Sequence, residues 1–191
     1  LSDSINYALR IQTAILPPAY HVEKLLPQSF VYYRPKDVIS GDFYFIEKGL
    51  NSNKIIFSAV DCTGHGVPGA MMSVIGFKYL EQAVLEKGLT KPSEILQFLD
   101  IGVNDSLRQT DNESGVYDGM DLALCTVDLE TRELQYSGSY NPMYYVQDDI
   151  LIEIKADKLP IGVNEDGVAD DFTNHTVKLD KGNTVYLFSD G

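Results

Sequence analysis

The run Ile55-Ile56-Phe57-Ser58-Ala59-Val60 is apolar, rich in residues that favour strands, and stops at Asp61. Directly after it come Cys62-Thr63-Gly64-His65-Gly66-Val67-Pro68-Gly69-Ala70-Met71-Met72, a glycine-rich turn that opens into a helical pattern. A chain of this kind must bury a strand and present a carboxylate at its exit. Such a carboxylate, before a glycine turn into a helix, can hold a hard cation where a phosphate could reach it. This segment is the expected active centre.

Two other carboxylates occupy comparable places. Asp42 lies in Ser40-Gly41-Asp42-Phe43-Tyr44, at the start of an aromatic strand, and Asp190 follows Val185-Tyr186-Leu187-Phe188 and precedes Gly191. Taken singly, each reads as a turn residue, because Asp is favoured in turns by its own side-chain hydrogen bonds. Together with the glycine turn they read as a site. Three carboxylates brought together repel and raise one another's pKa unless a cation neutralises them, and oxygen-only ligands favour Mg²⁺ or Mn²⁺ over Zn²⁺.

These three motifs, in this order, resemble those of the bacterial metal-dependent protein phosphatases, in the branch named for sporulation stage II protein E and related to protein phosphatase 2C. The resemblance runs from Asn6 onward. It implies an α+β fold, an α-β-β-α sandwich of two antiparallel sheets flanked by helices, with two Mn²⁺ or Mg²⁺ ions and hydrolysis of phosphoserine or phosphothreonine. By the same resemblance Asp61 bridges the two ions, the Cys62 backbone carbonyl binds one of them, and Asp42 and Asp190 complete the centre directly or through water. Hydrolysis then proceeds by in-line attack of water, with no covalent enzyme intermediate. Ser40 stands where the family usually has Gly, and Thr63 where Ser is common. The family's last motif, an Asp-Asp pair, has no counterpart before Gly191, so one ligand is expected to be missing. The chain alone is expected to bind metal weakly and turn over slowly. The implied partners are a phosphorylated regulatory protein, an antagonist of an anti-sigma factor being one candidate, and an upstream sensor domain.

Rival readings attach to the same residues. A catalytically silent sensor or docking module would keep the fold without the ligands. Gly64-His65-Gly66-Val67-Pro68-Gly69 also fits a dinucleotide fingerprint, but that needs a βαβ unit with an acidic residue ending the next strand, and Glu81 and Glu86 fall on a predicted helix. Cys62 as a nucleophile lacks a basic setting beyond His65. His65 reads either as a proton shuttle or as a turn residue. Arg34 and Lys36 can steer a phosphate or simply be solvated. Asp118 and Asp121 are expected in a turn, with a weak additional metal site as the alternative. Met71-Met72 reads as core packing.

At 191 residues and 44% apolar, the chain can bury one good core. A net charge of −13 without clustered Lys and Arg argues against a nucleic-acid partner. Two cysteines provide no disulfide framework and suit a reducing compartment, so a cytoplasmic location is expected, with a parent protein that could still be membrane-anchored. No stretch is long and apolar enough to span a membrane, and no charged-then-apolar leader precedes the domain. Both ends look cut. Residues 1–18 read as a connector helix with a seam at Leu1, Ile5, Ala8, Gln12 and Ile15, stopped by Pro17-Pro18, and residues 19–191 as the catalytic domain. The seam suits either a homodimer contact or packing on the chain's own domain.

Strands are predicted over Phe30 to Tyr33, Phe43 to Glu47, Ile55 to Val60, Leu122 to Asp128, Glu133 to Ser137, Met143 to Gln147 and Leu151 to Ile154. A closing hairpin is predicted over Phe172 to Leu179 and Thr184 to Phe188. Helices are predicted over Val67 to Glu86 and Pro92 to Arg108, and a polar loop over Gln109 to Tyr117.

Overall fold

A computed structural model describes residues 2–107, 118–163 and 170–190. The larger of two antiparallel sheets contains β1 (Phe43–Lys48), β2 (Lys54–Cys62), β3 (Met120–Asp128), β4 (Glu133–Ser139) and β7 (His175–Lys178), in that spatial order. The smaller places β5 (Met143–Gln147) between β6 (Ile150–Ile154) and β8 (Thr184–Tyr186). The helices are α1 (Ser2–Ile15), α2 (Ala19–Leu25), α3 (Val67–Glu81) and α4 (Pro92–Leu107). This is the expected α+β class with paired antiparallel sheets.

Period-two alternation sorts each strand between two cores. Phe43, Phe45, Ile56, Val60, Cys62, Leu122 and Leu124 pack with Leu80, Leu96, Leu99 and Val103 of the long helices. Ile46, Ile55, Ala123, Cys125, Val127 and Tyr136 take the opposite face, with Met143 and Tyr145 of the smaller sheet. Close helix packing comes from Gly102, where an added Cβ would lie 2.4 Å from the Tyr79 ring. Buried Asp100 ties α4 to the following loops by accepting from the backbone N–H groups of Gly162 (2.7 Å) and Asp170 (3.2 Å).

Several expectations need correction. Phe30 to Tyr33 is not a strand: it pairs with nothing in either sheet, and Phe30 and Tyr32 are 80% and 79% exposed. Its β-prone residues do not suffice without a backbone partner. The predicted closing hairpin does not form either. β7 joins β4 in the larger sheet and β8 joins β5 in the smaller, so the Asp180-to-Asn183 turn passes the chain from one sheet to the other. The Pro17-Pro18 stop holds, and a further short helix, α2, follows it, with Pro18 at its N-cap and Val22 buried. The α-helical part of the predicted Val67 to Glu86 helix ends at Glu81 and continues as a π-helical turn to Glu86. Met72 is buried as expected, whereas Met71 is 64% exposed. Arg108 and the Gln109 to Tyr117 loop lie outside the described residues, as do Leu1 and Gly191.

The sheet depends on its central strand. Leu124, fully buried in β3, faces the helices, so Leu124→Ala should destabilise the domain by roughly 2–5 kcal/mol. Urea unfolding followed by circular dichroism measures the change.

Candidate metal centre

The register of β1, β2 and β3 brings acidic residues to one end and one face of the sheet. Phe43 pairs with Val60, and one step further along the ladder sets Asp42 beside Asp61. Asp61 pairs directly with Asp121. Tyr44 and Ala123, two residues from Asp42 and Asp121, face the smaller sheet, so alternation points these carboxylates the same way. Asp190 arrives from the smaller sheet, at the end of the segment that continues β8. Its neighbour Ser189 donates through Oγ to Asp42 Oδ2 at 2.7 Å.

The crowding shows in the electrostatics. Burial, the charge of Asp42, and hydrogen bonds shared with Asp190 and Asp42 push the Asp61 carboxyl up to about 7. Burial and then the Asp190 charge raise Asp121. A cation at this position would offset the same crowding that raises the Asp61 carboxyl. Among the described residues, no three His, Cys, Asp or Glu side chains converge closely enough to form a protein-only cage. The donor set nevertheless fits Mg²⁺ or Mn²⁺, which take oxygen ligands; Mg²⁺ in particular binds through one or two carboxylates and keeps several waters.

Backbone packing holds the parts together. A Cβ added to Gly41 would lie 3.1 Å from the Gly64 carbonyl oxygen and 3.2 Å from that of Cys62. One added to Gly69 would lie 2.6 Å from the Gly64 carbonyl oxygen and 3.0 Å from Gly41 Cα. Gly64 and Gly66 adopt positive φ of 85° and 61°, which lets the chain turn from β2 into α3. The Tyr33 hydroxyl donates to the Asp42 carbonyl at 3.0 Å, and its ring meets Tyr44 edge-on. The segment that fails as a strand therefore still braces the site.

The structure sets Asp61 beside Asp42 on the ladder and within side-chain reach of Asp190. Asp121 lies opposite Asp61 and within range of the Asp190 charge. It sits inside β3, which begins at Met120 and not at Leu122, and is no turn residue. The available signal was antiparallel pairing with β2, which places it opposite Asp61. Cys62 is buried, and its thiol is held well above its usual range by burial and then by the charges of Asp42, Asp61 and Asp121. A protonated thiol is no nucleophile. His65, whose side chain is 90% exposed, lies 3.3 Å from Asp37. Arg34 and Lys36 are exposed in the segment leading to Asp42. The dinucleotide reading fails, because β2 is flanked by antiparallel neighbours and no βαβ unit follows the glycines.

The Asp61 shift fixes the sign of a pH effect. A folded-state pKa near 7, above the ordinary 3.8, contributes stability that is present at low pH and lost as pH rises towards 7. In chelator, the melting temperature should therefore fall between pH 5 and pH 8, and Asp61→Asn should flatten that fall and melt higher than the unsubstituted protein at pH 8. Thermal unfolding at the two pH values checks both expectations.

Residues 51–191 match the SpoIIE (Stage II sporulation protein E) family model. The SiaA-PP2C domain of Pseudomonas aeruginosa superposes with a TM-score of 0.83 at 32% identity, over 97% of this chain and 70% of that one. The PP2C phosphatase domain of SpoIIE from Bacillus subtilis, solved with a fragment of its regulatory domain, gives 0.58 at 24% identity, over 76% and 39% of the two chains. RsbX in complex with magnesium gives 0.57 at 14%, over 80% and 67%, a likeness of fold. No curated protein matches the sequence. With its larger sheet ending in Asp42, Asp61 and Asp121, the chain belongs to the SpoIIE family of PP2C-like phosphatase domains.

Proposed function

We propose that the domain hydrolyses phosphoserine or phosphothreonine on a regulatory protein in a Mn²⁺- or Mg²⁺-dependent reaction, as the output of a bacterial signalling protein. The observation that carries this reading is the crowding of Asp61 against Asp42 and Asp190, which leaves unneutralised negative charge at the mouth of a glycine turn. Asp42, Asp61 and Asp190, with the Cys62 carbonyl, are the groups that would hold two ions. Such ions, when bound, neutralise charge on the phosphoryl oxygens and make water acidic enough to act as the nucleophile near neutral pH.

The chain's own part is positioning. Asp61 is fixed by its ladder pairing with Asp121, Asp42 by the Ser189 hydroxyl and the Tyr33 bond to its carbonyl. The Gly64-to-Gly69 turn carries side chains only at His65, Val67 and Pro68. His65 points its ring towards Asp37 and not into the carboxylate cluster, which favours a role in shaping the turn. The magnesium complex of the similarly folded RsbX is consistent with a hard cation in this fold. A phosphorylated protein substrate is in keeping with the similarity to the PP2C phosphatase domain of the cell fate determinant SpoIIE.

Asp61→Asn, in a protein that also carries the family's last carboxylate motif, should abolish Mn²⁺-dependent phosphate release from a phosphoserine peptide while leaving the circular dichroism spectrum unchanged. A neutral amide cannot replace a bridging carboxylate. Near-normal turnover by this variant would sink the reading.

The connector helix supports a second part of the proposal, a homodimer contact or link to an upstream sensor. Gln12, Ile15 and Leu16 turn towards α3, but Tyr7 and Ile11 are exposed and Ile5 is half-buried. Ile5→Asp should therefore lower the dimer mass in sedimentation or raise the Mn²⁺ concentration needed for half activity. If neither moves, Ile5 has no part in assembly or coupling.

A further inference from the structure

Gln12 is a polar side chain on the one face of α1 that enters the core, and it is only 6% exposed. Its Nε2 donates to the Ser40 carbonyl at 2.6 Å and to Ser73 Oγ at 3.0 Å, and its Oε1 accepts from the Ser40 N–H at 3.0 Å. One amide thus pairs both ways with one backbone residue, as a neighbouring strand would, in a segment that belongs to no ladder. Ser73 Oγ passes the connection on by donating to the Ala70 carbonyl at 2.8 Å, in the first turns of α3.

The two ends of this connection bracket the carboxylate centre. Ser40 precedes Gly41, which lies against the Cys62 and Gly64 carbonyls, and then Asp42. Ala70 follows the glycine turn that leaves Asp61. Phe43, Phe77, Ile15 and Leu16 surround Gln12, so an apolar side chain of its size would suit the packing alone. Burying an amide there is unfavourable unless its bonds are made, and here they are made to the two segments that carry the acids.

We propose that Gln12 is a positioning residue: its bonds to Ser40 and Ser73 set the spacing between the Ser40-Gly41-Asp42 segment and the Asp61 turn at which Asp42 and Asp61 can serve one cation. The link to a cation rests on the metal-dependent reading above; the positioning of the segment does not.

Gln12→Met in this chain keeps the volume and removes all three bonds. Amide hydrogen exchange at Ser40 should then quicken about tenfold or more, the change expected for losing one or two net hydrogen bonds, while exchange within β2 and β3 stays as before. Mn²⁺ affinity by isothermal titration should weaken about tenfold, again on the scale of one or two such bonds. Ser73→Ala leaves both Ser40 bonds in place and should exchange at Ser40 like the unsubstituted protein. Unchanged exchange at Ser40 in Gln12→Met, or a rise spread evenly over the sheet, would overturn the proposal and leave Gln12 a packing residue. If the unsubstituted protein binds no Mn²⁺, the metal-dependent reading falls while the exchange result still decides the role of Gln12. Should Gln12→Met fail to fold, Gln12→Glu keeps the acceptor for the Ser40 N–H, and its faster exchange should be confined to the same segment.

Discussion

Everything at the centre depends on the antiparallel register of three strands. Phe43 opposite Val60 and Asp61 opposite Asp121 together decide that the acids share an end and a face. A slip of one residue in β2 would turn Asp61 towards the helices and bring Val60 to the other sheet. The buried aliphatic rows forbid it, because Ile56, Val60 and Cys62 are packed on the helix side while Ile55 is packed on the other. Apolar packing therefore places charges that would not gather by themselves. Like charges directly opposite on a ladder are unfavourable, and the fold holds them there by burying what lies behind.

The second sheet contributes less to the core than to the location of the site. β8 pairs with β5, and the chain beyond it returns to the mouth of the larger sheet, where Phe188 meets Tyr144 and Ser189 reaches Asp42. The site is thus assembled across the seam between two sheets, from residues far apart in the chain. Neither layer alone contains it.

The sequence discloses the strongly patterned parts. β1, β2, β4, β5 and β6 stand within a residue or two of where alternation and turn signals place them, as do the starts of α3 and α4. Asp42, Asp61 and Asp190 stand out in the sequence because each lies at the boundary of an apolar run, with glycine close by. What was hidden is what depends on pairing. The Phe30 to Tyr33 segment has the composition of a strand but no neighbour, and Thr184 to Tyr186 has a neighbour other than the adjacent strand. Asp121 was obscured for the same reason: its place beside Asp61 is a fact of register, and register is not local. Gln12 has the spacing of a seam position, whereas its amide bonds a backbone segment twenty-eight residues away.

Cys62 places a buried free thiol directly after Asp61. Phosphatases that attack phosphorus with sulfur need an accessible thiolate, and that same thiolate is what peroxide oxidises to sulfenic acid. Here the sulfur beside the acids is shielded and kept protonated, so it offers oxidants little to attack. An oxidant that inactivates thiolate enzymes therefore finds no thiolate beside these acids, and what could be lost here is the spacing of carboxylates rather than a sulfur.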